Sequence, residues 1–486
     1  MASEMAKKAV GMAATKCDRG GRVMGALMRA LLIAILAALT GCQSLPPPVS
    51  YTPPTDEHQY RRVEPPTQSI PALSEVHMVV NGWTITMAAY PFYDGGTQLS
   101  YVALTWPSHH IPEKLWPWLY QWPVFGTQQI NLYDWLVQCG LRYERGIYHG
   151  ELRLVIYGAR TSLQRCLPKL LVLASQPSVS PTVFKRIQRD IKVSRLLRQT
   201  LDKSAITEAM ERLLLRPTHH NDLVTYSEDE PGAIQALLSS VMQQPPNIDL
   251  VTDDISAWQT WWQQVFAAHV TQAVTKPEPS ATHTLKKLPP GYYFLPRSGA
   301  KQAEIRIVTP LSTASDVQSA QAAAEILRII LGNSLDGRLG RDLRERLGLT
   351  YWIDVEIRNL KAHRLLIIAT QGEHRKMRAL IQGSQYHLQQ LFEQTKVSKD
   401  EFEHAKSVYL WHQLMRQNTP HNRLLSIVDQ RHHEANWRWV AKLSYAQFID
   451  WLHVWQTAPT YIFVSGEKKA LQHYLCEYFT PCYFVK

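Results

Sequence analysis

A ten-residue unit occurs twice in this chain. Asp134-Trp135-Leu136-Val137-Gln138-Cys139-Gly140-Leu141-Arg142-Tyr143 is matched by Asp342-Leu343-Arg344-Glu345-Arg346-Leu347-Gly348-Leu349-Thr350-Tyr351. Each reads as a helix closed by a glycine in the left-handed cap, followed by a strand. The flanking patterns repeat in the same order. An alternating strand over Gln98–Leu104 leads through Ser108-His109-His110 to a helical stretch, and Glu304–Val308 leads through Ser312–Asp316 to a helix over Ala320–Leu331. Strands at Glu151–Tyr157 and Arg364–Ala369 follow, and then long helices open near Ser180-Pro181 and Ser398-Lys399-Asp400. A chain that runs the same mixture of helices and strands twice is expected to fold as two tandem, homologous α+β domains. We place them at residues 73–275 and 292–486. The proline-bearing stretch 276–291 links them, through Lys276-Pro277-Glu278-Pro279-Ser280 and Pro289-Pro290-Gly291.

The first 72 residues have another character. Lys7, Lys8, Lys16, Arg19, Arg22 and Arg29 precede the apolar run Leu31–Ala38, which ends in Leu39-Thr40-Gly41-Cys42. A basic region, a short apolar run and small residues before a cleavage point form a secretory signal, too short for a membrane span of roughly 20 residues. The ending resembles the lipobox of bacterial lipoproteins, which implies cleavage after Gly41 and lipid on Cys42. An ordinary cleaved signal with an incidental cysteine is the competing reading. Gln43, rather than Asp, implies the outer membrane of a Gram-negative envelope. Residues 42–72 carry eight prolines among Ser, Thr and Gln. That composition reads as an extended tether, which at ~3.1 Å per residue reaches roughly 90 Å.

Removal of residues 1–41 takes six cations and two anions, lowering the formal charge from +11 to +7. No dense basic run lies in the folded region, so the charge speaks for solubility and weak attraction to anionic surfaces, not nucleic-acid binding. With Cys17 cleaved off and Cys42 lipidated, Cys139, Cys166, Cys476 and Cys482 remain. An even number in an oxidising compartment points to disulfides, with Cys476–Cys482 and Cys139–Cys166 as the possible pairs and free thiols as the competing reading. No C-x2-C spacing favours a metal.

Residues Leu343 to Tyr351 resemble the second-domain signature of the pitrilysin family of zinc metallopeptidases, which includes insulinase and the mitochondrial processing peptidases. By order of elements the likeness extends over roughly residues 75–486. It implies two α/β-sandwich domains, each a mostly antiparallel sheet packed with helices. Active members place an arginine and a tyrosine seven positions apart that contact bound peptide, and Arg344 and Tyr351 have that spacing. A guanidinium and a phenol suit a substrate carbonyl and the oxyanion that develops from it. Tyr351 also shares the parity of Ile353, Val355 and Ile357, so core packing is the competing reading, with Arg344 a solvated helix residue.

The family's zinc machinery is H-x-x-E-H on a first-domain helix. The corresponding stretch here is Pro117-Trp118-Leu119-Tyr120-Gln121, if Gly126-Thr127 sets the register. Pro117 and Gln121 then replace the histidines, Tyr120 replaces the glutamate, and the distal ligand falls near Asp190. No H-x-x-E-H occurs in the chain. His109-His110, His219-His220 and His432-His433-Glu434 lack chelating spacing and read as surface or loop residues.

The sequence therefore supports a chain without its own zinc or other cofactor. Its expected partners are a zinc-bearing pitrilysin-type subunit, a peptide and the membrane. The alternative is a catalytically dead scaffold lipoprotein of an envelope complex. The anchoring expectation has a direct check: Cys42→Ser should abolish palmitate labelling and release the protein from the outer-membrane fraction. Retention there, with no labelling of the normal protein, would refute it.

Overall fold

Two six-stranded sheets carry the chain, and their strands follow one order. The computed structural model describes residues 47–55, 64–66, 75–90, 98–107, 115–121, 132–148, 151–175, 177–200, 206–207, 209–210, 213–216, 229–266, 284–285, 288–312, 316–332, 337–360, 363–393, 396–430 and 437–485. The signal segment, Cys42, Gly126-Thr127 and the three histidine clusters lie outside the described residues. Residues 48–486 form one unit that contains both sheets.

The first half opens with a hairpin, β1 (Glu75–Val80) and β2 (Trp83–Ala89). Its Asn81-Gly82 turn has positive φ at both positions (50° and 81°), as the tight turn of a twisted hairpin requires. There follow β3 (Leu99–Pro107), α1 (Trp116–Tyr120), α2 (Leu132–Gln138), β4 (Arg142–Tyr148), β5 (Glu151–Ala159), α3 (Arg160–Ser175), α4 (Pro181–Thr200), α5 (Pro231–Met242), β6 (Asn247–Thr252) and α6 (Ile255–Trp261). The second half comprises β7 (Gly291–Pro296), β8 (Ala303–Leu311), α7 (Val317–Gly332), the wide helical turn α8 (Gly340–Arg346), β9 (Ile353–Leu360), β10 (His363–Gly372), α9 (Met377–Phe392), α10 (Lys399–Arg416), α11 (Pro420–Gln430), α12 (Trp437–Lys442), α13 (Tyr445–Trp455), β11 (Tyr461–Gly466), α14 (Lys468–Leu471) and β12 (Cys482–Phe484).

The sheet orders are β4-β5-β3-β6-β2-β1 and β9-β10-β8-β11-β7-β12. The first five strands correspond one to one, including the parallel pairs β2–β6 and β7–β11 amid antiparallel neighbours. The sixth differs: β1 pairs antiparallel to β2, whereas β12 comes from the chain's end and runs parallel to β7. The expected tandem α+β architecture of two mostly antiparallel sheets with helices is thus the observed one. Within the inter-domain stretch, Thr284–Leu285 pairs with Leu215–Arg216, so part of it is strand.

Each sheet packs its inner face on its own helices. In the first half Val102 and Leu104 of β3 meet Leu163, Leu167 and Leu170 of α3 in one buried cluster. In the second, Ile305 and Ile307 of β8 meet Leu327 and the small Ala320, Ala323 and Ala324, which let α7 pack close to the sheet. The outer faces are covered reciprocally. Leu424, Ile427 and Val428 of α11, at i, i+3 and i+4, cover Ala88, Ala103, Val155 and Val251 of the first sheet. Ile206, Met210 and Leu214, at i, i+4 and i+8, cover Val308, Leu365, Ile367, Tyr461 and Phe463 of the second.

The proline-rich stretch does not act as a free tether along its whole length. Val49 N–H donates to Arg375 O at 2.8 Å, and Val49 and Tyr51 pack against the second half's core. Farther along, Trp411 Nε1 donates to Glu64 O at 2.9 Å. The reason is local: Val49 and Tyr51 bring apolar surface into a mostly polar and proline-rich run, and the second half offers a place to bury it.

Cys139 and Cys166 form a disulfide, with Cα atoms 6.4 Å apart, tying the cap after α2 to α3. Cys476 and Cys482 differ from the sequence expectation: both are half-buried free thiols. They hydrogen-bond to each other, and Cys482 Sγ also donates to Phe479 O at 2.9 Å, while β12's pairing with β7 fixes the backbone of Cys482. Burial, and then the neighbouring thiol, push Cys482 up to about 12, so the reactive thiolate is scarce at neutral pH. Peptide mapping without reduction should recover a Cys139–Cys166 cross-linked peptide, with Cys476 and Cys482 alkylated only after unfolding. The double variant Cys139→Ala/Cys166→Ala should lose roughly 3–4 kcal/mol, as expected for a loop of this size, measured by denaturant titration.

Candidate functional site

The segment from α8 to the start of β9 is built to hold two side chains out in solvent. Leu343 and Leu349 are buried and clamp the segment from both ends. Between them Gly348 takes φ 56°, and Leu349 N–H reaches back to Leu343 O at 2.8 Å while Gly348 N–H reaches Arg344 O at 3.1 Å. This is a left-handed helix cap with its hydrophobic contact, and a Cβ at position 348 would strain it. Lys376 Nζ donates to Gly348 O at 3.2 Å and adds positive charge at the helix end. The equivalent cap in the first half has Gly140 at φ 67° and Leu141 N–H on Leu136 O at 2.9 Å.

Thr350 pins the next step. Its hydroxyl lies 2.7 Å from the carbonyls of Trp352 and Gln371 and accepts from Trp352 N–H at 3.1 Å. Thr370 closes the same cluster, 3.0 Å from the Thr350 hydroxyl. Residues 351 and 352 form a bend, and ladder pairing with β10 begins only at Ile353. The strand parity that would send Tyr351 inward therefore does not extend back to it. Tyr351 is 95% exposed. Arg344 is partly exposed and pairs only with its neighbour Glu345, at 3.0 Å, among the described residues. The two predicted residues sit at opposite ends of one rigid cap, and β9, which follows, is an edge strand.

Beneath this surface lies a buried polar centre that the sequence did not announce. Asp342, 5% exposed, accepts from Tyr51 OH at 2.8 Å and from Arg346 Nε at 2.6 Å, and lies 2.6 Å from His387 Nε2. Arg346 also donates to Thr52 O at 2.5 Å. Burial alone would raise the Asp342 carboxyl, but the hydrogen bonds from His387 and Tyr51, with Arg346 beside them, outweigh it and hold it below its ordinary range. Tyr51 is pushed well above the ordinary phenol range, first by burial and then by its bond to Asp342. The one available signal was Tyr51 itself, a lone aromatic beside Val49 among prolines.

In the first half, the stretch that the resemblance aligns with the zinc-binding helix is packed by aromatic side chains. Pro117 occupies the first turn of α1, and Gln121 ends it. The Arg145 guanidinium lies 4.2 Å from the centre of the Tyr120 ring and 5.1 Å from that of Tyr133, which stacks on Tyr143. Trp118 is buried and stacks on Phe184 of α4 at 5.0 Å, while Asp190, farther along that helix, is exposed. Pyrrolidine, amide and phenol are not a zinc donor set, and aromatic packing joins the two helices that would carry the ligands. Among the described residues no group of three His, Cys, Asp or Glu is placed to hold a metal ion.

Residues 248–409 match the family described as "Peptidase M16 inactive domain". No curated protein matches the sequence. Solved structures share the fold at low identity. A protease from Helicobacter pylori superposes with a TM-score of 0.67 at 10% identity, covering 81% of this chain and 99% of the other. A peptidase M16 inactive domain from Pseudomonas fluorescens gives 0.59 at 14%, covering 82% and 98%. The periplasmic protease PqqL of Escherichia coli gives 0.63 at 12%, covering 90% of this chain and 50% of that one. The likeness to pitrilysin-type peptidases is thereby borne out, in a chain without H-x-x-E-H.

Two outcomes follow from this geometry. Asp342→Asn should destabilise the fold by roughly 1.5–3 kcal/mol near neutral pH. A carboxyl lowered in the fold stabilises above its unfolded value of about 3.9 and stops doing so as pH falls through the depressed one. The gap between variant and wild type in denaturant titrations should therefore narrow below that pH; a constant gap would show that the charge is not the cause. Tyr351→Ala, by contrast, should change stability by no more than about 0.5 kcal/mol.

Proposed function

We propose that this chain is the non-catalytic, peptide-binding subunit of a two-chain pitrilysin-type zinc protease anchored at the bacterial envelope. The observation that carries the reading is Tyr351, a large aromatic 95% exposed on a cap held by buried leucines and threonines. Such exposure costs favourable burial and gives nothing to this fold, so its use is sought outside it. Arg344 on the same cap supplies a charged bidentate donor, and the phenol a neutral one; together they suit an extended peptide's carbonyls. Among the described residues β9 is an edge strand, and an extended peptide can add to such an edge as a further strand. The zinc and its general base would come from the partner, since Pro117, Tyr120 and Gln121 cannot supply them.

The test is reconstitution. Co-purification from membranes should yield a relative bearing H-x-x-E-H, and the pair should cleave peptides in a chelator-sensitive way, whereas this chain alone should not. Arg344→Ala and Tyr351→Phe should each weaken peptide affinity or activity by on the order of 1–3 kcal/mol. Unchanged values in both variants, with folding intact, would overturn the peptide-binding role and leave a scaffold lipoprotein.

A further inference from the structure

The second half carries a shaped seat for the chain's own N-terminal segment. Gly383 of α9 leaves room where a Cβ would come within 2.4 Å of Leu343 and 2.7 Å of the Tyr51 ring. Tyr386, one turn on, lies 5.6 Å from that ring, centre to centre. The phenol reaches a buried carboxylate, Asp342, already held by His387 and Arg346. Hydrogen bonds to the segment's own main chain flank the ring on both sides: Val49 N–H donates to Arg375 O, and the Arg346 guanidinium donates to Thr52 O. A segment serving only as a flexible spacer has no use for a buried carboxylate, a missing side chain and two backbone bonds matched to it.

We infer that residues 48–52 form a docked strap that fixes the envelope end of the chain to the second half and cuts the reach of the anchor. This rests on the proposed lipidation of Cys42. Six residues lead from Cys42 to Pro48, and extended chain advances at most ~3.3–3.6 Å per residue, so the free reach is roughly 20 Å instead of roughly 90 Å. The strap bonds to α8, the helix that also bears Arg344. The peptide-binding cap is therefore carried close to the lipid surface. Its partner and peptide must then be reached at that surface, through anchoring of their own or through an extended segment.

The experiment uses the lipidated protein purified from membranes and placed in vesicles that contain a photoactivatable headgroup lipid. Cross-links should concentrate on peptides of the second half, and the Val49 amide should be protected from hydrogen exchange. Tyr51→Ala should remove that protection and lower the second-half cross-links severalfold. A Gly/Ser insertion after Leu45 should lower the cross-links while leaving Val49 protected, which separates reach from folding. Cross-links spread evenly over both halves, or a Val49 amide that exchanges freely in the wild type, would overturn the inference. Failure of the wild type to enter vesicles would overturn the anchoring, and the orientation with it, while Val49 exchange still reports on the strap.

Discussion

Reciprocal covering of the two sheets is the constraint on which the rest of this structure depends. A sheet with helices on one face leaves the other to be covered or solvated, and here each outer face carries an apolar patch beside buried polar residues such as Asp249 and Arg306. Ala88, Ala103, Val155 and Val251 are buried under α11, and Val308, Leu365, Ile367 and Phe463 under the segment bearing Ile206, Met210 and Leu214. Fully burying an aliphatic side chain contributes roughly 1.5–3 kcal/mol, so each half depends on the other for several such terms. The covering segments follow equivalent long helices, α4 and α10, so the duplication that created two domains also created the exchange that joins them.

The candidate site grows from that frame. The cap after α8 can project Tyr351 and Arg344 outward because its interior is over-determined: Leu343 and Leu349 are buried, Gly348 takes the left-handed turn, and Thr350 is bonded to three main-chain groups. Under the cap, Asp342 takes hydrogen bonds from three partners, one of them on the N-terminal strap. A buried carboxylate with fewer partners would be a liability; with these it becomes a point where strap, cap and α9 are fixed together. In the proposed peptide-binding role such rigidity would help, since a donor pair held in place loses little entropy on meeting a peptide.

In the first half, aromatic packing holds the fold at the stretch where the resemblance would put a metal site. Trp118 and Phe184 join α1 to α4 by stacking, and Arg145 lies over the rings of Tyr120 and Tyr133. Aromatic contacts of this kind hold helices together, worth on the order of 0.5–1.5 kcal/mol per pair beyond burial, and need no ion. The fold is shared with the protease structures and the M16 inactive domain that it resembles, and Pro117, Tyr120 and Gln121 offer no zinc donor set.

The sequence by itself determined the duplication, the glycine caps at Gly140 and Gly348, the order of strands and helices, and the absence of H-x-x-E-H. All of these are local patterns: periodicity, cap residues and spacing are set by neighbours along the chain. It also singled out Arg344 and Tyr351, but left open whether Tyr351 faced core or solvent, because parity carries information only once the first ladder pair is known. That pair, Ile353 with Thr370, is a tertiary fact. The same holds for the Tyr51 strap, the Asp342 centre and the state of Cys476 and Cys482. Each depends on groups brought together from distant parts of the chain or on the direction of a side chain, and neither composition nor spacing encodes those. Only the folded arrangement decided that the proline-rich stretch was partly a clasp, because a proline-rich run reads as free chain until a surface is found that buries Val49 and Tyr51.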